Sequence, residues 1–196
     1  MFHAIPVPIL ERMKQLEEID SRDRLDGTPH LERLRQIPPE TGRFLALMAA
    51  SAPPGKLIEI GTSAAYSSLW ISLACRERQD RLLTFEVLPE KFDLAQETVR
   101  QTGSEAWIEL VHGDARRDLQ SFSEIAFCFL DAEKDIYQQC YELVVPKLVS
   151  GGLFLADNVL SHAEELHPFV SLVMNDARMD TVVVPVGKGV LLGRKK

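Results

Sequence analysis

The spacing of apolar residues changes character along the chain. In residues 8–20 they recur every three to four positions, as on an amphipathic helix, and 29–36 repeats the pattern after the turn-like "LDGTP". From residue 40 a regular alternation begins. Helix 40–51 stops at Pro53-Pro54-Gly55, and "KLIEI" (56–60) has the short apolar run of a buried strand. Helix 64–77, strand 81–86 and helix 89–102 follow, and Pro89 suits a first helical turn. Strand 106–111, a short helix at 115–121, strand 125–130, helix 134–149 and strand 152–156 continue the alternation. The end differs: "DTVVVPV", "GKG" and "VLLGR" read as two strands joined by a tight turn.

Strands alternating with helices imply right-handed crossovers and a parallel sheet covered on both faces. The expected fold class is therefore α/β: a mostly parallel seven-stranded sheet with an antiparallel C-terminal edge strand and helices on both faces. One domain is expected over 1–196, with 1–36 as a helical N-terminal extension. A chain of 196 residues supports that reading, since a domain of this length can bury roughly 70% of its unfolded surface.

Composition narrows the function. The net charge is −7 and the basic residues cluster only in the terminal "GRKK", which excludes a phosphate backbone as the expected partner. Cys75, Cys128 and Cys140 are far apart and form no C-x-x-C pair, so buried reduced thiols are expected. The N-terminus turns charged after ten residues, unlike a signal peptide, and no apolar run approaches the ~20 residues of a membrane span. A soluble, cytoplasmic protein without membrane contact is the expectation.

In open α/β sheets, ligands bind outside the carboxyl ends of the strands. Those positions hold Gly61, Glu86, Asp114, Asp131 and the pair Asp157-Asn158. One acidic end would be an ordinary turn or helix cap; four on the same rim favour a site. On one side, "EIGTSAAYS" makes a glycine turn into a helix N-terminus, and Glu86 is placed to accept hydrogen bonds from ribose hydroxyls. A dinucleotide turn would need glycine where Ser63 and Tyr66 stand, so NAD is disfavoured. A nucleoside without phosphates fits, its carboxylate taken by the helix N-terminus and the Ser67 hydroxyl.

On the other side, Asp131, Asp157 and Asn158 offer two carboxylates and an amide oxygen. These are hard donors, suited to Mg²⁺ rather than zinc. An Asp-Asn turn capping the next helix is the alternative for this stretch. Lys134, about one helical turn beyond Asp131, can face the same space and act as a general base; a surface lysine at a helix start is the alternative.

The sequence resembles the class I S-adenosylmethionine (SAM)-dependent, metal-dependent O-methyltransferases of the catechol and caffeoyl-CoA type, especially small bacterial members. The resemblance runs over about 36–195. Its specific parts are "LIEIGTSAAYSSLW", "TFEVLPEKFDLA", "GDA", "FLDAEKDIYQQCYE" and "GGLFLADNVL". It implies a Rossmann-like fold, SAM as methyl donor and Mg²⁺ or another divalent cation. It also implies a small phenolic or catechol-like acceptor and a homodimer. Gly61 and Ser63 would approach the methionine part of SAM, Ser67 its carboxylate, Glu86 the ribose, and Asp114 and Ala115 the adenine edge. Glu59, in the same motif as Gly61, is counted with the cofactor-binding residues. Asp131, Asp157 and Asn158 match the metal ligands, with Asp131 also near the cofactor's amino group, and Lys134 matches the base. Two positions depart from the family pattern: Ala65 stands where glycine is usual, and Lys188 where an Asp is common. A SAM-binding module without catalysis and a methyltransferase for another acceptor class are the competing readings.

Overall fold

The alternation of apolar period is realised as seven strands: β1 (Lys56–Ile60), β2 (Leu82–Glu86), β3 (Ile108–His112), β4 (Ile125–Leu130), β5 (Leu148–Ala156), β6 (Met179–Val184) and β7 (Val190–Lys195). The computed structural model describes residues 1–196. The strands form one sheet in the order β3-β2-β1-β4-β5-β7-β6. All neighbours from β3 to β5 run parallel, and β7 is antiparallel to both β5 and β6. The antiparallel C-terminal strand is thus present, but β6 is the outermost one.

Because side chains alternate across a strand, consecutive core residues serve two cores. Leu57, Phe127, Phe129 and Leu155 pack on one face, beneath α1 (Val7–Asp23), α2 (Pro39–Ser51), α3 (Tyr66–Arg78) and α4 (Pro89–Thr102). Ile58, Cys128, Leu130 and Phe154 pack on the other, beneath α5 (Ala115–Asp118), α6 (Tyr137–Val144) and α7 (Ala163–Met174). The three cysteines are free and buried. No helix is long and apolar enough to cross a membrane.

Strand order reverses between β1 and β4, so the connections leaving them diverge to opposite sides and open a crevice. The ladder continues one residue past the strand ends: Gly61 N–H donates to Phe85 O, Asp131 N–H to Ile60 O, and Asp157 N–H to Leu130 O. Three rim residues are thereby fixed side by side. Glycine is required at the first. Gly61 has φ 99°, and a Cβ there would run into the Asp131 carbonyl.

Three expectations are corrected. Residues 29–36 form no helix: after one turn at Pro29–Arg33 the chain extends, with Arg35 at φ 54°. Its carbonyls are taken by side chains of other elements, described below, which outweigh a weak local periodicity. Helix 134–149 is shorter, a turn of 3-10 helix at Lys134–Ile136 followed by α6 and a second such turn, and β5 starts at Leu148. Pro146, lacking an N–H, suits that break. Finally, α7 was not expected. Leu166, Phe169 and Val173 keep the helical spacing, but Pro168 inside it masks the signal.

Candidate active site

The crevice holds a cavity of about 810 Å³, within the size range of small-ligand sites. Every candidate cofactor, metal or catalytic residue lines it except Glu59 and Asp157, which are fully buried, as is Ala65 in the glycine turn.

On the β1–β2 side the turn Gly61–Ala65 leads into α3. Ser63 (φ 48°) and Ala65 (φ 65°) are both left-handed, a conformation that favours glycine, so the Ala65 departure carries strain of about 1 kcal/mol. Glu86 holds this turn in place. Its Oε2 accepts Ser63 N–H at 2.7 Å, and its Oε1 accepts Val87 N–H and Leu88 N–H at 2.9 Å each. One lone pair of Oε2 is left for a ligand hydroxyl. Ser67, on the first turn of α3, also faces the cavity.

Glu59 does not face it. The alternation that sends Ile58 to one face of β1 sends Glu59 to the other, where Ser68 and Thr84 donate to its Oε2 while Oε1 has no partner. Complete burial pushes its carboxyl up to about 7. Its place is beneath the turn as a brace.

Asp114 caps α5 through Arg116 N–H at 3.0 Å, and the Arg116 guanidinium grips both its oxygens at 2.6–3.0 Å. That clamp holds the Asp114 carboxyl below the usual range. Ala115 lines the cavity beside it. No motif in the sequence signals the clamp.

On the β4–β5 side, Asp131, Lys134 and Asn158 meet. Asn158 Nδ2 donates to Asp131 Oδ1 at 2.7 Å. Lys134 Nζ lies 3.3 Å from the same oxygen, 2.9 Å from Ala132 O and 2.8 Å from the Tyr137 hydroxyl. Tyr137 is fully buried, packs edge-on against Phe169 of α7, and donates to the Asp157 carbonyl at 3.3 Å. It ties Lys134 to the end of β5 and was missed, although it stands one turn beyond Lys134 in the motif.

Asp157 is 0% exposed, and neither carboxylate oxygen has a hydrogen-bond partner. Burial first, then repulsion from Asp131, pushes its carboxyl up to about 7. An orphaned buried carboxylate is costly unless something positive sits against it. Two carboxylates and an amide fit a hard divalent cation. No three His, Cys, Asp or Glu side chains converge anywhere in the molecule, so the amide would be the third donor.

Segment Glu32–Gln36 touches both sides of the cavity, and its residues Arg33–Gln36 line it. Lys91 of α4 donates to Glu32 O and Arg33 O at 2.6 and 2.9 Å, Ser63 Oγ to Leu34 O at 3.0 Å, and Arg35 pairs with Glu133 at 2.7 Å.

A sequence model of the O-methyltransferase family matches residues 11–196. The chain is 28% identical over 135 residues to a catechol O-methyltransferase of Niastella koreensis, a match spanning 66% of this chain and 61% of that enzyme. It is 27% identical over 210 aligned positions to caffeoyl-CoA O-methyltransferase 2 of Zea mays, covering 94% of this chain and 76% of that one. Among solved structures, the SAH-bound methyltransferase PaMTH1 of Podospora anserina has a TM-score of 0.81 at 22% identity, covering 98% and 89% of the two chains. An O-methyltransferase from Bacillus cereus in complex with SAH gives 0.76 at 20% identity, covering 95% and 91%. With the family model extending over nearly the whole chain, this protein belongs to the O-methyltransferase family.

Proposed function

We propose that the protein transfers a methyl group from SAM to one hydroxyl of a small aromatic diol, with a divalent cation at Asp131, Asp157 and Asn158. The orphaned carboxylate of Asp157, buried in the chain next to Asn158 and repelled by Asp131, whose own Oδ1 lies 3.3 Å from Lys134 Nζ, carries this reading. The names of the catechol and caffeoyl-CoA relatives support the acceptor class.

The residues present divide the work. The glycine turn and the N-terminus of α3 would take the amino-acid end of the donor, with Ser67 on its carboxylate. Glu86 would accept from a ribose hydroxyl through its spare lone pair, and Asp114 with Ala115 would border the adenine. SAM supplies a methyl group on a sulfonium, a leaving group that needs no acid catalyst. Asp131, Asp157 and Asn158 would hold a divalent cation, which would supply acidification of the acceptor hydroxyl. Lys134 would take the hydroxyl proton on Nζ, positioned by Tyr137 and Ala132 O. Arg33–Gln36, lining the cavity, would exclude water from the oxygen that attacks. Holding that oxygen in line with the methyl carbon can contribute up to ~7–11 kcal/mol in well-oriented systems.

The test is methyl transfer from labelled SAM, with Mg²⁺, across catechols, hydroxycinnamates and flavonoids. Label should enter diols and be lost in chelator. Monophenols labelled as fast as diols, or no diol labelled at all, would overturn the proposal.

A further inference from the structure

Lys188 is the one cation at the β4–β5 end of the cavity with neither a carboxylate partner nor a short hydrogen bond. Arg35 pairs with Glu133 at 2.7 Å, and Lys134 has Tyr137 and Ala132 O within 2.9 Å. Lys188 Nζ has a single contact, to Gln36 O at 3.4 Å, although an ammonium carries three donors. Lys188 is half-buried and lines the cavity.

Its position is fixed by the backbone. The turn between β6 and β7 is locked against the loop that follows Asn158: Leu160 N–H and Ser161 N–H both donate to Lys188 O at 3.1 Å, and Val159 N–H donates to Gly189 O at 3.0 Å. Gly187 and Gly189 are left-handed, and a Cβ on either would strike Thr41 or Leu160. The backbone of Lys188 is therefore held on a rigid support against the loop that follows Asn158, and its side chain lines the same cavity as Asp131 and Asn158. A free lysine on a flexible surface loop would show none of this.

We infer that Lys188 forms a subsite for a carboxylate carried by the acceptor. The inference rests on the cation-and-diol reading above. A divalent cation at Asp131 and Asp157 balances those two carboxylates and leaves Lys188 without a counter-charge inside the cavity. A ring diol bearing a carboxylate supplies it. A monoanion matches a lone ammonium, whereas a phosphate dianion would call for a second free cation. Lys91, Arg33 and Arg35 are each already bound to carbonyls or to Glu133. The Gln36 amide lies in the same wall with its Oε1 unpartnered, and by rotating can present its NH₂ to the same group.

The experiment compares a dihydroxybenzoate with the corresponding dihydroxybenzamide, as KM in turnover and as Kd by calorimetry on SAH-loaded protein with Mg²⁺. Wild type should favour the acid by about tenfold, the scale of one charge-assisted hydrogen bond. Lys188→Met should bring the ratio close to one, and Lys188→Glu should reverse it, while Lys188→Arg keeps the preference. An acid preference that survives Lys188→Met, or none in wild type while the amide is methylated, overturns the subsite and leaves the diol reading standing. If wild type binds and methylates neither compound, both fall together.

Discussion

The Asn158 amide nitrogen donates to the Asp131 carboxylate at 2.7 Å, so the two side chains already converge on the space that Asp157 faces with no partner of its own. Such a cluster carries electrostatic strain that a cation bound there would relieve. Proton and cation should compete for Asp157, whose carboxyl is pushed up to about 7. Mg²⁺ should therefore raise Tm at pH 8 and much less at pH 5.5. Asp157→Asn should abolish that shift while making the metal-free protein more stable at pH 8, because it removes a buried unpaired charge. If the Asn variant is less stable without metal, Asp157 is a structural turn residue.

Lys134 lies against Asp131 and is held there by Tyr137 and Ala132 O, and the lysine and the tyrosine should separate in kinetics. Lys134→Ala should lower kcat by ~10²–10⁴-fold, the usual range for a general base. SAH affinity by calorimetry should stay the same, since the base acts on the acceptor. Tyr137→Phe keeps the ring packed on Phe169 but frees the ammonium to wander, so kcat should fall by about tenfold at nearly constant KM, an effect restored by no added cation. Equal kcat in Tyr137→Phe would show that Ala132 O and Asp131 hold Lys134 without the tyrosine.

Glu59 should make stability pH-dependent. Its carboxyl is raised from 4.5 in the unfolded chain to about 7 in the fold. A raised carboxylate stabilises fully below the unfolded value and loses that contribution as pH rises through the folded one. Denaturant unfolding should thus show stability falling by up to about 3 kcal/mol between pH 4.5 and pH 8. Asp157 acts in the same direction, so the comparison belongs in the Asp157→Asn background. Glu59→Gln should flatten the profile, and an unchanged slope would mean that Glu59 is not the titrating group.

Ala65→Gly should relieve the left-handed strain at the start of α3 and raise stability by up to about 1 kcal/mol. Measured by thermal shift with SAH, the glycine variant should bind no worse than wild type. Glu86→Ala should do the opposite on two counts, weakening SAH binding and loosening the turn, because three backbone N–H groups lose their acceptor. A variant that binds SAH normally would remove Glu86 from the cofactor site.

The alternating α/β order, the glycine turn and the rim of acidic strand ends were legible along the chain, because each depends on local period or on residues at fixed offsets from a strand. Lys134 and Asp131 could be paired from the chain alone, being three residues apart. What the sequence could not decide was set by contacts between distant segments. The stretch 29–36 has helical spacing, yet its carbonyls go to Lys91 and Ser63, and tertiary hydrogen bonds outweigh a few weak helical turns. Glu59 stood in the expected cofactor motif, and only the pleat of β1 turned it to the opposite face. Asp157 and Tyr137 are neighbours because β4 and β5 pair in one register and α6 folds back over them, so the orphaned carboxylate and the lysine's support exist only in the assembled sheet.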